Sequence, residues 1–195
     1  DRVFCGGASF TELASIRTEA QGLAFFSGFA NVINAIRRVP KFVVGRVQGK
    51  AVGGGVGLAS AVDYCIATQH AAVKLSELAV GIGPFVVGPA VERKMGLSAM
   101  SQLAIDATEF RSAAWAQQHG LYAQVVDDAT ALDAAVDALA ERLAGQSVEA
   151  TVALKNALWQ GTEHWGELLL ERAAVSGRLV RTDDAQRRIE AILSK

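Results

Sequence analysis

Two glycine clusters contain the residues with the clearest chemical potential. The first is FCGGAS at residues 4–9, and the second is GGGVG at residues 53–57. A glycine lets the backbone approach a ligand without a Cβ in the way, and it accepts dihedral angles closed to other residues. Where such a cluster begins a helix, its free amide N–H groups and the helix dipole favour negative charge. Two loops of this kind can each offer one N–H group to the same oxygen, which is the arrangement of an oxyanion hole.

Two phosphate-binding motifs are excluded by the residues around the second cluster. A Walker A loop needs Ser or Thr after its Gly-Lys pair, but Ala51 follows Gly49 and Lys50. The dinucleotide motif GxGxxG, begun at Gly53, needs a glycine where Leu58 stands. Close helix packing alone explains two or three of the glycines, whereas three in succession favour a backbone that contacts a ligand.

Glu77 is a carboxylate in apolar surroundings. It lies between the apolar segments VKL and LAVGIG, which predicts a strand end and partial burial. Burial disfavours the charged form, so it would raise the pKa of this carboxyl toward values useful for proton transfer. Taken alone, a carboxylate in such a place is more often a structural cap for the following loop.

The histidines and cysteines point away from metal and disulfide chemistry. His70, His119 and His164 have no metal-ligand spacing, so we predict no metal centre and no redox cofactor. Cys5 and Cys65 lie far apart in apolar surroundings and form no CxxC pair. This usage predicts reduced thiols in a cytoplasmic protein.

Composition and charge limit the possible partners. The chain has 195 residues, 51% of them hydrophobic, which is enough for a substantial core. Its 19 basic and 20 acidic residues are scattered, so no basic face for nucleic acid is expected. We also expect no membrane partner, because no apolar run approaches the length of a membrane span and the first residues lack a signal-peptide pattern.

The elements that must position these residues alternate along the first two thirds of the chain. Residues 11–39 predict one long amphipathic helix, capped by Thr11 and ended by Pro40. The runs FVVGRV, DYCIAT, AVKL and YAQVV then predict strands separated by turns or short helices. This alternation predicts an α/β fold.

The remainder of the chain has a helical pattern only. It shows a stop at Gly145 and a new helix cap at Ser147. We therefore predict an α/β core at residues 1–128 and a C-terminal helical region at residues 129–195.

Four motifs together resemble the enoyl-CoA hydratase/isomerase (crotonase) family: FCGGAS, VQGKAVGGGVGLASAVDYCIAT, LSELAVGIGP and HGLYAQVV, in this order and at these separations. The resemblance covers nearly the whole chain. It implies a ββα superhelix with a helical C-terminal trimerisation region, and assembly as a homotrimer or homohexamer. It implies acyl-CoA thioester substrates and an enolate stabilised during the reaction, with no other cofactor because CoA arrives with the substrate. Family sequences usually have strands ahead of the FCGGA segment, and this chain begins without them.

The resemblance also implies a set of site residues. Glu77 would be the catalytic acid or base, and the backbone N–H groups of Ala8 and Gly54 would form the oxyanion hole. The expected substrate contacts are Gly7, Gly53, Gly55 and Phe85. Phe85, Val86 and Val87 predict a bulky apolar lining, suited to a medium or branched acyl group.

One family carboxylate is missing, because Gly57 occupies its position. Hydration commonly uses two carboxylates, whereas moving a double bond from the 3- to the 2-position needs a single base. Isomerisation is therefore the favoured reaction. Two alternatives stay open: a hydratase that uses another carboxylate, such as Glu92 or Glu12, and a non-catalytic CoA-binding subunit.

Overall fold

The computed structural model describes residues 2–194, in which two parallel sheets are surrounded by helices. The strands are β1 (Val3–Cys5), β2 (Val44–Val47), β3 (Lys50–Val52), β4 (Tyr64–Thr68), β5 (Val73–Lys74) and β6 (Gln124–Val126). The helices are α1 (Phe10–Ser15), α2 (Glu19–Arg38), α3 (Gly54–Ala61), α4 (Gly88–Ile105), α5 (Ala113–Gln118), α6 (Ala129–Ala144), α7 (Val148–Leu158), α8 (Trp165–Leu179) and α9 (Asp183–Leu193).

The strands form two three-stranded sheets, ordered β1-β3-β5 and β2-β4-β6. All neighbouring strands are parallel, and successive strands of the chain belong alternately to the two sheets, with α3 joining β3 of one sheet to β4 of the other. In a parallel sheet the carboxyl ends of the strands meet at one edge. The segments after β1, β3 and β5, which contain both glycine clusters and Glu77, therefore lie together.

The predicted strands and the α/β class are confirmed, but the single helix over residues 11–39 is wrong. The chain forms α1 and α2 instead, separated by residues 16–18. The Ser9 side chain caps α1, and Thr18 caps α2 in a capping box with Gln21. Thr11 lies inside α1. The box satisfies amide groups that a continuous helix would bond internally, so it makes a new helix start favourable there.

The C-terminal helices confirm the predicted helical region and share the core of the first two thirds. One apolar cluster includes Ile33 of α2, Leu75 after β5, and Leu169 and Ala173 of α8. Helix α8 lies directly on α2, because a Cβ placed on Gly22 would be only 2.7 Å from the Cα of Gly177. The boundary at residue 129 stays a prediction. No helix within residues 2–194 is long and apolar enough to cross a membrane.

A buried ion pair attaches α7 to the core. The Lys155 ammonium lies 2.5 Å from Oδ2 of Asp63, with side chains only 2% and 6% exposed. Lys155 also donates to the Ile36 carbonyl at 2.9 Å. The carboxylate of Asp63 accepts further bonds from the Trp159 indole N–H and the Val43 backbone N–H, each at 2.8 Å. Because both charged groups are buried, removing either the Lys155 ammonium or the Asp63 carboxylate leaves the other charge uncompensated.

We predict that Lys155→Met lowers the free energy of unfolding by about 3–5 kcal/mol, because it leaves the Asp63 carboxylate buried without its counter-ion. Urea denaturation at neutral pH measures the change, and Lys41→Met, at an exposed lysine, is the control. Adding Asp63→Asn to Lys155→Met should recover part of the loss. A Lys155→Met loss no larger than that of Lys41→Met would contradict the assigned role of the pair.

Candidate active site

A cavity opens where the segments after β1, β3 and β5 meet α2 and α8. Its space, including the part open to solvent, is about 580 Å³. The wall contains six of the seven predicted site residues, namely Gly7, Ala8, Gly53, Gly54, Glu77 and Phe85. Gly55 is outside the wall. Most of the remaining wall is apolar and comes from Phe10, Leu13, Phe26, Phe29, Val80, Ile82, Val86 and Val87.

The two glycine loops touch each other at the edge of the β1-β3-β5 sheet. Gly7 has a φ of +84°, and a Cβ placed on it would lie 2.9 Å from the Val52 carbonyl oxygen and 3.4 Å from the Gly54 nitrogen. A side chain at position 7 would therefore be strained and would push the loops apart. Glycine at this position allows Ala8 and Gly54 to line the same cavity.

The amide N–H groups of Ala8 and Gly54 have no acceptor among the residues that the structure describes. Gly54 is the first residue of α3, so its N–H group has no partner within the helix. The preceding N–H group, on Gly53, instead donates to the Lys74 carbonyl at 2.8 Å. Two uncommitted donors on the wall of one cavity, from distant parts of the chain, can bind an oxygen that gains negative charge.

Glycine is required at each of the positions 53, 54 and 55 for a different physical reason. Gly53, the cap of α3, has a φ of +53°. A Cβ on Gly54 would lie 2.2 Å from the Phe29 ring, so α2 packs directly against this residue. A Cβ on Gly55 would lie 2.5 Å from the Cys5 carbonyl oxygen. Gly55 thus faces β1 rather than the cavity, as the helix-packing explanation expects, and substrate contact by Gly55 stays a prediction.

The Glu77 carboxyl faces the second glycine cluster. A Cβ placed on Gly53 would lie 3.0 Å from its Oε1. Its backbone is fixed at the start of the short turn 78–80, where the Glu77 carbonyl accepts from the N–H groups of Val80 and Ile82 at 3.2 and 3.0 Å. The Oε2 atom is buried and has no hydrogen-bond partner among the described residues. Burial raises the pKa of Glu77 to about 7, so this carboxyl can both accept and return a proton near neutral pH.

The space beside Gly57, where the resemblance would place a second carboxylate, is filled by a neighbouring side chain. A Cβ on Gly57 would lie 2.4 Å from Cγ1 and 2.5 Å from Cβ of Val87. Val87 immediately precedes α4 and forms part of the cavity wall. Glu12 and Glu92 are exposed and are absent from the wall. Glu77 is therefore the one carboxylate on the cavity wall within residues 2–194.

Sequence reasoning did not assign Phe29 and Ser176 to the site. Phe29 belongs to an apolar helical stripe that predicts only core packing, and Ser176 is a single polar residue in α8. They reach the cavity because α2 and α8 pack side by side. Within the described chain, no group of three or more His, Cys, Asp or Glu side chains is arranged to hold a metal ion.

Comparison with known proteins identifies the family. The sequence profile described as enoyl-CoA hydratase/isomerase matches residues 1–190. The probable enoyl-CoA hydratase of Bacillus subtilis is 28% identical, over all of this chain and 76% of its own. The trans-2-decenoyl-[acyl-carrier-protein] isomerase of Streptococcus mutans is also 28% identical, over all of this chain and 75% of its own.

A solved structure agrees with this assignment. The enoyl-CoA hydratase from Mycobacterium avium subsp. paratuberculosis superposes with a TM-score of 0.84 at 26% identity. The match covers all of this chain and 74% of that one. The resemblance predicted from the glycine motifs is thus confirmed, together with the crotonase-like α/β fold and its helical C-terminal region. The chain belongs to the enoyl-CoA hydratase/isomerase family.

Proposed function

We propose that this protein isomerises 3-enoyl-CoA thioesters to 2-enoyl-CoA thioesters with Glu77 as the single acid and base. The observation that carries the proposal is the cavity wall itself. It combines two uncommitted amide N–H groups, from Ala8 and Gly54, with one carboxyl whose pKa burial raises to about 7. The position where a second carboxylate would stand is filled by Val87.

The reaction needs only these groups. The thioester oxygen accepts hydrogen bonds from the Ala8 and Gly54 amides, which stabilise the negative charge that develops when C2 loses a proton. Glu77 takes that proton, and the electron pair spreads over the thioester carbonyl and the neighbouring double bond. Glu77 then returns the proton to C4, so the double bond moves to C2 and C3 without gain or loss of atoms. CoA is part of the substrate, and no other cofactor takes part.

The Gly57–Val87 contact supports isomerisation over hydration. Adding water commonly uses a second carboxylate to hold and deprotonate it. Here that place is apolar, and the alternatives Glu12 and Glu92 are exposed and outside the wall. The names of the relatives do not separate the two reactions, because one is called a hydratase and another an isomerase. The purely CoA-binding alternative is disfavoured, because it needs no buried carboxyl on the cavity wall.

The proposal extends to assembly and compartment. Several large apolar side chains on α4 and α7 are about half exposed or more: Leu97, Ile105, Val148, Leu154 and Leu158. Contacts with other copies of the chain would cover these side chains, and, following the family resemblance, we propose a homotrimer or homohexamer. Both cysteines are free, which fits the reducing cytoplasm as the compartment. Light scattering on the purified protein tests the assembly, and a monomer at micromolar concentration would contradict it.

Replacing the base should remove the reaction. We predict that Glu77→Gln lowers kcat/KM for a medium-chain 3-enoyl-CoA by about 10²- to 10⁴-fold, because the amide cannot accept the C2 proton. In the wild-type protein, kcat/KM should fall about tenfold per pH unit below pH 7 and level off above it, since the base must be ionised. The control is Glu92→Gln, at an exposed carboxylate outside the cavity. Equal rates for Glu77→Gln and Glu92→Gln would exclude the assigned base.

Restoring the second carboxylate should change the reaction. We predict that Gly57→Glu alone destabilises the fold by roughly 1–3 kcal/mol or more, because its Cβ overlaps Val87. The double variant Gly57→Glu/Val87→Gly removes the overlapping Cβ and should add water to 2-enoyl-CoA at least about tenfold faster than the wild-type protein. The matched control is Gly57→Gln/Val87→Gly, which has the same shape without the charge. Fast hydration by the wild-type protein would instead support the hydratase.

A further inference from the structure

Ser176 is a polar residue in an apolar part of the cavity wall. It is 1% exposed, and it comes from α8, whereas the glycine loops come from the first half of the chain. The wall residues supplied by α1, α2 and the segment after Glu77 include Leu13, Phe26, Val80 and Ile82, all of them buried. A serine among such neighbours needs a physical explanation, because burying an unpaired hydroxyl is unfavourable.

The Ser176 hydroxyl differs from the other buried hydroxyls of the chain. The hydroxyl of Ser60 donates to the Val56 carbonyl at 2.8 Å, and that of Thr162 donates to the Trp159 carbonyl at 2.7 Å. None of the hydrogen bonds found between described residues involves the Ser176 hydroxyl. The hydroxyl is not among the fully buried polar atoms that lack a partner, so it stays accessible from the cavity, and a ligand that covered it without making a hydrogen bond would lose about 1–3 kcal/mol. The cavity is the direction from which a partner can reach this group.

Helix α2 contacts both the oxyanion region and the part of α8 that contains Ser176. Phe29 of α2 packs on Gly54, and Gly22 of the same helix packs on Gly177, the residue next to Ser176. Phe29 follows Gly22 by seven positions, which corresponds to about 10 Å along a helix that rises 1.5 Å per residue. Gly177 and Gly54 therefore contact α2 about two turns apart, which favours a position for Ser176 beside the acyl chain rather than beside the thioester carbonyl.

We propose that Ser176 binds a hydrogen-bonding oxygen on the acyl chain, remote from the thioester, so that the preferred substrates are hydroxy- or oxo-substituted acyl thioesters of medium length. This inference rests on the proposed function, because it takes the cavity as the acyl site. A pocket that hydrogen-bonds a substrate oxygen discriminates strongly against the analogue that lacks it, since its own polar group then stays unpaired. A plain hydrocarbon chain would leave the Ser176 hydroxyl without a hydrogen-bond partner.

The test is a binding measurement that needs no turnover. Calorimetry compares saturated acyl-CoA with ω-hydroxyacyl-CoA of the same carbon number, across a series of chain lengths. The wild-type protein should bind the hydroxylated ligand at least about tenfold more tightly at one medium length. Ser176→Ala should reduce this preference below about threefold while leaving the plain ligand bound as before or more tightly. Ser60→Ala, which removes a buried hydroxyl outside the cavity wall, should keep the preference.

The outcomes separate this inference from the proposed function. If both ligands bind the wild-type protein equally at every length, the role of Ser176 is wrong and the acyl-CoA site stands. If neither ligand binds, the acyl-CoA site itself is overturned. The wild-type comparison decides the question even if Ser176→Ala fails to fold. An unchanged preference in a folded Ser176→Ala protein would also overturn the inference.

Discussion

The site depends on the close contact between the loop after β1 and the junction of β3 with α3. Parallel pairing of β1 with β3 brings the ends of both strands to one edge, and Gly7 lets the loop lie against the Gly54 nitrogen. This contact gives one cavity two amide donors that secondary structure leaves free. Backbone donors fixed in this way need no rearrangement when charge develops on a bound oxygen, which is the physical basis of oxyanion stabilisation.

The same cavity brings the pKa of Glu77 toward neutral pH, and this burial lowers the free energy of unfolding at neutral pH. Burial raises the pKa of its carboxyl to about 7. At a pH between its ordinary value and 7, the folded state binds more protons than the unfolded state, so the free energy of unfolding falls as the pH rises through this window. Helix α8 closes part of the cavity by backbone contact with α2, and the Asp63–Lys155 pair attaches α7 to the core. Helix α8 thus helps to shield from water a carboxyl whose pKa burial raises.

Local sequence patterns predicted that two glycine loops offer free amide groups and that Glu77 is partly buried, because a glycine cluster before a helix and a carboxylate between apolar runs are local signals, whereas the choice of Ala8 and Gly54 as donors came from the family resemblance. The cap of α2 at Thr18 was missed, although the capping box was present in the sequence. Other features depend on tertiary packing. The sequence shows Gly57, but only the packing of the segment before α4 shows that Val87 fills its place. Ser176 reaches the cavity only because α8 lies on α2.

The most direct test of the central claim is a crystal structure of the protein with a saturated, unreactive acyl-CoA. The account predicts a thioester oxygen about 2.7–3.1 Å from both the Ala8 and Gly54 nitrogens, with the Glu77 carboxyl facing the carbons next to the carbonyl. A thioester oxygen bonded to neither nitrogen, or an acyl chain outside this cavity, would contradict the account.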